Sequence, residues 1–184
     1  MAAYVSGDRR AFEQLFSRLA PRLHRFFRRS FSAEATADDL LQVTFLKLHK
    51  ARDTYRADMR VAPWAFTIAA RVRLDEFRRR KRLAEDGDEE ALARAEETQA
   101  KTQSETSSHR ETIDGDTAEA VRRAVDGLPE SQRVVIHLNR FEEMTFAEIA
   151  KVLGTTEGAV KLRAFRAYGA LRQVLQPMLA EVTS

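Results

Sequence analysis

The segment that decides the fold runs from Thr145 to Arg172: TFAEIAKVLGTTEGAVKLRAFRAYGALR. Its first four residues form a capping box. The Thr145 hydroxyl can accept from the backbone N–H of Glu148, whose carboxylate can reach back to the N–H of Thr145. This opens a short helix, Phe146–Val152, which Gly154 ends, because glycine enters the left-handed C-cap conformation at no steric cost. Thr155 or Thr156 then caps a long helix extending to about Leu175. Two helices joined by a glycine-containing turn, the second long and basic, form a helix-turn-helix. On a helical wheel Val160, Ala164, Ala167 and Leu171 fall within roughly 60° of one another and face the core. Lys161, Leu162, Phe165 and Arg166 spread over the other side. An exposed Leu and Phe between cations suit DNA better than plain solvent, because an aromatic ring can meet thymine methyls while cations hold phosphates. Thr156 and Arg163 on the same helix complete this candidate set.

The preceding sequence is helical too. Thr117 to Gly127 carries Ala120, Val121, Ala124 and Val125 at helical spacing, with Gly127 at its end. Leu128-Pro129 restarts the chain, and Val134, Val135, Leu138 and Phe141 give the next apolar face. At the N-terminal end, Phe12, Leu15, Phe16 and Leu19 are followed by Leu23, Phe26 and Phe27 at the same spacing, and Pro21 between them should kink or break that helix. Asp38-Asp39 stands where acids favour a helix start, ahead of Leu40, Leu41, Val43, Thr44, Phe45, Leu46 and Leu48. A third helix is expected from about Pro63, through Trp64, Ile68, Val72 and Phe77, into a basic tail. No stretch alternates with period two. The fold class is all-α.

Between these halves, Ala84–Asp116 offers only Leu92 and Ile113 as large apolar residues, too few to offset the entropy of ordering it. The expected organisation is two small helical domains, 1–82 and 117–184, joined by a flexible acidic linker, 83–116. Charge follows the same division. Seven bases face two acids from Arg71 to Arg82, twelve acids face three bases from Leu83 to Ala120, and four bases face none from Gly158 to Gln176. Two basic patches around an acidic stretch point to a polyanion partner. The linker acids are expected to rest against those patches when the chain is free.

Composition removes other classes. The 184 residues contain no Cys, which leaves no disulfide framework, thiolate zinc site or cysteine nucleophile. Seven Gly and four Pro are too few for a turn-rich all-β protein. His24, His49, His109 and His137 lack metal-ligand spacing, and no phosphate loop, nucleophile elbow or carboxylate pair emerges. No catalytic residue, metal or cofactor is expected, nor any activity as an enzyme. No apolar run suits a membrane span or a signal peptide, so a cytoplasmic location is expected.

Four blocks, in order, resemble a known family: GDRRAFEQLF (7–16), ADDLLQVTFLKLHK (37–50), PWAFTIAARVRLDEFRRRKR (63–82) and LPESQRVVIHLNRFEEMTFAEIAKVLGTTEGAVKLRAFRA (128–167). They are similar to the conserved regions of bacterial RNA polymerase sigma factors of the extracytoplasmic-function (ECF) type, in the sigma-70 family. The resemblance implies a first domain that binds the clamp helices of the polymerase β′ subunit and melts the −10 element. It implies a second domain on the β flap that reads the −35 element, a linker threaded into polymerase channels, and an anti-sigma factor that covers both domains. By the same resemblance, Asp39, Leu40, Leu41, Gln42, Phe45 and Leu46 fall in the polymerase-binding motif. Arg71, Asp75, Arg78, Arg79, Arg80, Lys81 and Arg82 fall on the −10 helix. Thr156, Lys161, Leu162, Arg163, Phe165 and Arg166 fall on the −35 helix. The sequence departs from the family at Val43, usually an acid, at His49, often Trp, at Ala70-Arg71, usually Arg-Asn, and at Leu162, commonly Ser. Two other classes fit the helix-turn-helix: a repressor or activator with an N-terminal sensing module, and a sigma mimic that sequesters an anti-sigma partner. The second basic helix argues against the first and the Arg78–Arg82 run against the mimic.

Overall fold

Asp8 sets where the first long helix begins: its carboxylate accepts from the backbone N–H of Arg10 at 2.8 Å and of Ala11 at 3.3 Å, satisfying donors a helix N-terminus leaves open. The computed structural model describes residues 1–85 and 113–182, and the chain divides into two units, Met1–Thr106 and Ser107–Ser184. The first contains α1 (Ala2–Val5), α2 (Arg9–Arg28), α3 (Glu34–Ala51), a 3-10 turn (Arg52–Thr54) and α4 (Val61–Glu85). The second contains α5 (Ile113–Asp126), α6 (Glu130–Arg140), α7 (Phe146–Leu153) and α8 (Glu157–Val182). No strand occurs among the described residues.

Pro21 does not break α2, which runs through it from Arg9 to Arg28. An interior proline costs about 3 kcal/mol, whereas Leu19 before it and Leu23, Phe26 and Phe27 after it are all buried on one core. Each is worth about 1.5–3 kcal/mol, so burial outweighs the missing hydrogen bond. The start of α3 also differs from the expected one. It lies at Glu34, which supplies the first-turn acid, while buried Ala33 and Ala37 seat this end. Asp38 instead reaches across to His24 of α2 at 3.3 Å. Pro63 lies in the first turn of α4, where its missing N–H is harmless. That helix passes the expected boundary at Leu83 and ends at Glu85.

In the first unit, α2, α3 and α4 close around Leu23, Phe26, Phe27, Leu48 and Phe66. Phe26 meets Phe66 edge-on at 5.3 Å. Trp64 is half-buried and packs edge-on against Tyr55 at 5.2 Å.

In the second unit the capping box forms as read. The Thr145 hydroxyl accepts from the Glu148 N–H at 3.2 Å, and the Glu148 carboxylate accepts from the Thr145 N–H at 2.9 Å. Gly154 takes φ 63° at the C-cap of α7. Of the two candidate threonines it is Thr156 that caps α8, accepting from the Ala159 N–H at 3.2 Å. Helix α8 extends past Leu175 to Val182, and α5 begins at Ile113 rather than Thr117. Val160, Ala164 and Ala167 are buried against α6 and α7, with Leu171 packed at the edge of that core. Among the histidines, His137 is buried beside Glu142, Nε2 to Oε1 3.6 Å, with Phe141 stacked on its ring. His109 and most of the acidic linker, residues 86–112, fall outside the described residues.

Candidate nucleic-acid interface

Because small residues turn α8 inward, its other face is left to solvent. Phe165 is 77% exposed and Leu162 49%, an unusual position for both. Lys161 and Arg166 flank them, also exposed, while Arg163 is half-buried and Thr156 stands at the cap. Lys161 pairs with Glu157 one turn back at 2.8 Å. An exposed pair of this kind contributes at most about 1 kcal/mol, so a phosphate can displace it. Two hydrogen bonds fix the helix in place: the Tyr168 hydroxyl donates to Asn139 Oδ1 at 3.2 Å, and Asn139 Nδ2 donates to the Met144 carbonyl at 3.0 Å. The Arg140 guanidinium lies over the Tyr168 ring at 5.4 Å. The turn between α6 and α7 is thereby tied to the middle of α8.

In the first unit, the basic end of α4 separates into distinct environments. Arg71, Arg78, Lys81 and Arg82 are exposed. Asp75 pairs with Lys47 of α3 at 3.4 Å and lies 4.0 Å from Arg78. Lys47, Arg71, Arg78, Ile68 and Leu74 line a shallow hollow around Asp75. Lys81 pairs with Glu85 at 3.5 Å. Arg79 and Arg80, by contrast, converge on Glu76. Arg79 donates Nε and Nη2 to its carboxylate at 2.7 and 2.8 Å, and Arg80 donates Nε at 2.8 Å. Arg80 also donates Nη2 to Thr36 Oγ1 at 3.1 Å and lies over the Phe31 ring at 4.8 Å. Burial pushes the Glu76 carboxyl up, but the hydrogen bonds and charges of the two guanidiniums outweigh it and hold the group below its ordinary value.

The six motif residues of α3 divide by face. Leu40 and Phe45 are buried, and Phe45 packs on Phe16 of α2 at 4.6 Å between ring centroids. Leu41 is half-buried. Asp39, Gln42, Val43 and Leu46 recur at helical spacing on the exposed face, with Leu46 63% exposed.

Comparison with known proteins matches both units. Residues 15–83 match the family model for sigma-70 region 2, and residues 118–171 match that for sigma-70 region 4. The RNA polymerase sigma factor CarQ of Myxococcus xanthus is 34% identical over 187 residues, covering 99% of each chain. The ECF RNA polymerase sigma factor SigM of Mycobacterium tuberculosis is 34% identical over 175 residues, 95% of this chain and 82% of its own. The chain belongs to the ECF sigma factors of the sigma-70 family. As such it directs promoter-specific transcription initiation. Among solved structures, CnrH in complex with the cytosolic domain of CnrY is 29% identical with a TM-score of 0.62, over 96% of this chain and 94% of CnrH. The sigma factor RpoE in complex with the anti-sigma factor NepR, from Bartonella quintana, shares the fold. It is 24% identical with a TM-score of 0.69, over 90% of this chain and 97% of its own.

For this sigma factor, Glu76 and the Asn139–Tyr168 link are absent from the sequence reading of the site. Glu76 carried a signal: it stands three and four residues before Arg79 and Arg80, the spacings at which helical side chains meet. Asn139 and Tyr168 carried none, because they lie on separate helices. Among the described residues no group of His, Asp and Glu is arranged to hold a metal ion, and no helix is long and apolar enough to cross a membrane.

Proposed function

We propose that this sigma factor engages core RNA polymerase through the exposed face of α3, grips and melts the −10 element with the basic end of α4, and reads the −35 element with α8. Asp39, Gln42 and Leu46 are the motif residues left outward to meet the β′ clamp helices; Leu40 and Phe45 support them from the core. Arg71, Arg78, Lys81 and Arg82 supply phosphate contacts beside the −10 strand, with Arg79 and Arg80 held next to them. Phe165 and Leu162 read base edges, while Lys161, Arg163 and Arg166 hold the backbone and Thr156 fixes the start of the helix. The unit from 117 onward sits on the β flap. The segment between α4 and α5 threads into polymerase, and an anti-sigma factor covers both domains when the chain is silent. The chain catalyses nothing itself and acts on polymerase in the cytoplasm.

One observation carries this reading: a ring and a branched aliphatic chain exposed between cations on the second helix of a helix-turn-helix. Phosphate contacts hold a protein on DNA without telling sequences apart, whereas base contacts discriminate. The test uses holoenzyme made from core polymerase and the full chain. It compares a promoter which the wild-type holoenzyme selects from a randomised duplex library with copies altered singly across the −35 element. Arg166→Ala should weaken binding to all of them alike, and changes at Leu162 or Phe165 should alter their ranking. If ranking depends only on the −10 half, α8 does not read DNA.

A further inference from the structure

We infer that Glu76 is a positioning residue for promoter binding: it holds Arg79 and Arg80 in the orientation in which the basic end of α4 meets phosphate. The inference rests on the reading of that end as a −10 DNA surface and adds a role to a carboxylate within it.

A carboxylate in the middle of a cation run is a problem for a DNA-binding surface. By charge alone it weakens the attraction of every nearby phosphate. Yet Glu76 is only 8% exposed and accepts three charge-assisted hydrogen bonds from two arginines, at 2.7 to 2.8 Å. The geometry shows what is gained. Arg79 binds Glu76 through its Nε and Nη2, a bidentate fork that leaves Nη1 to donate elsewhere, on a side chain 59% exposed. Arg80 is turned inward at 22% exposed, braced by Thr36 at the start of α3 and by the Phe31 ring. A free arginine loses rotamer freedom when it meets a phosphate; Arg79 has already lost it. Glu76 also spaces the run. It absorbs the mutual repulsion of two adjacent guanidiniums, so that Arg78, Lys81 and Arg82 can remain outward.

The two roles of the carboxylate predict opposite signs. If Glu76 acts on DNA only as a charge, Glu76→Gln tightens promoter binding, because a repulsive group is gone. If it positions the arginines, the same change weakens binding, by about threefold to tenfold for one or two side chains that must be ordered at the moment of contact. The experiment measures equilibrium binding of the holoenzyme to the selected promoter over a series of NaCl concentrations, with circular dichroism melting of each variant. Glu76→Gln is paired with Arg79→Lys, which keeps the charge on an exposed side chain but loses the planar fork. Weaker binding by both supports the positioning role. Tighter or unchanged binding by Glu76→Gln, or unchanged binding by Arg79→Lys, overturns it. Should Glu76→Gln not fold, Arg79→Lys decides alone. Arg78→Ala/Lys81→Ala/Arg82→Ala in one chain tests the underlying reading separately. If that variant leaves affinity and salt dependence untouched, the end of α4 is not a DNA surface, whatever Glu76 does.

Discussion

Replacing Phe165 by Ala separates stability from recognition more cleanly than any other change on α8. Phe165 is 77% exposed and lies across the helix from the buried Val160, Ala164 and Ala167. Truncating it removes almost no buried surface, so stability should stay within about 0.5 kcal/mol of wild type. Ala is also the better helix former, which works against any loss. In the proposed −35 contact the ring has much more to lose. An aromatic side chain buries about 150–250 Å² when fully covered. With roughly half of that area against the groove and about 25 cal/mol per Å², the contact is worth about 2–3 kcal/mol, or about thirtyfold to a hundred-and-fiftyfold in discrimination. Two measurements check this: denaturant titration of the full chain, and competition of the holoenzyme between the selected promoter and single −35 variants. Leu138→Ala is the reference for a core change. Leu138 is fully buried, and its truncation should cost about 2–5 kcal/mol. If Phe165→Ala destabilises the chain as Leu138→Ala does, or if it leaves the order of promoter preference intact, the assignment of faces on α8 is wrong.

Leu46→Asp should abolish assembly with core polymerase in a pull-down while leaving the melting of the chain unchanged, because the side chain is exposed on α3; Phe45→Asp should unfold the first unit instead. Thr145→Ala removes the capping-box hydroxyl and should cost about 1 kcal/mol in denaturant titration; no measurable loss would mean that the adjoining helices hold α7 without it. The Glu76 carboxyl is held below its ordinary value in the folded chain. Its stabilising effect is therefore complete above the ordinary carboxylate range and fades as pH falls through the folded value. The stability gap between wild type and Glu76→Gln, measured by denaturant titration, should be widest near neutral pH and close in acid. A gap that does not change with pH would show that the ion pairs contribute nothing.

Where sequence reading succeeded, the controlling interactions were local. The capping box at Thr145 and Glu148, the stop at Gly154 and the inward face of Val160, Ala164 and Ala167 all depend on residues within two turns of one another. They survive intact in the structure. Pro21 was misleading because the local rule was sound but burial of Leu23, Phe26 and Phe27 outweighed it. Asp38 was misread as a helix start because its partner, His24, lies on another helix. The motif around Asp39–Leu46 was legible as a string, but which of its residues face outward was not, because the burial of Leu40 and Phe45 depends on packing against other helices, as Phe45 packs on Phe16. Glu76 was counted in the sequence as one of two acids against seven bases, although its spacing to the arginines that follow was already legible there. Its importance lies in its spacing to Arg79 and Arg80 and in the brace that Thr36 and Phe31 give to Arg80, a contact across 44 residues.

The central claim, that this chain confers promoter choice on a polymerase which otherwise lacks it, is tested most directly by run-off transcription. Core RNA polymerase is supplied with a linear template carrying the selected promoter, with and without the full chain. The account predicts a single transcript of defined length only when the chain is present, lost on replacing Leu46 by Asp and redirected among −35 variants by Phe165→Ala. A chain that binds the template and core polymerase, yet yields no transcript from that start, would contradict it.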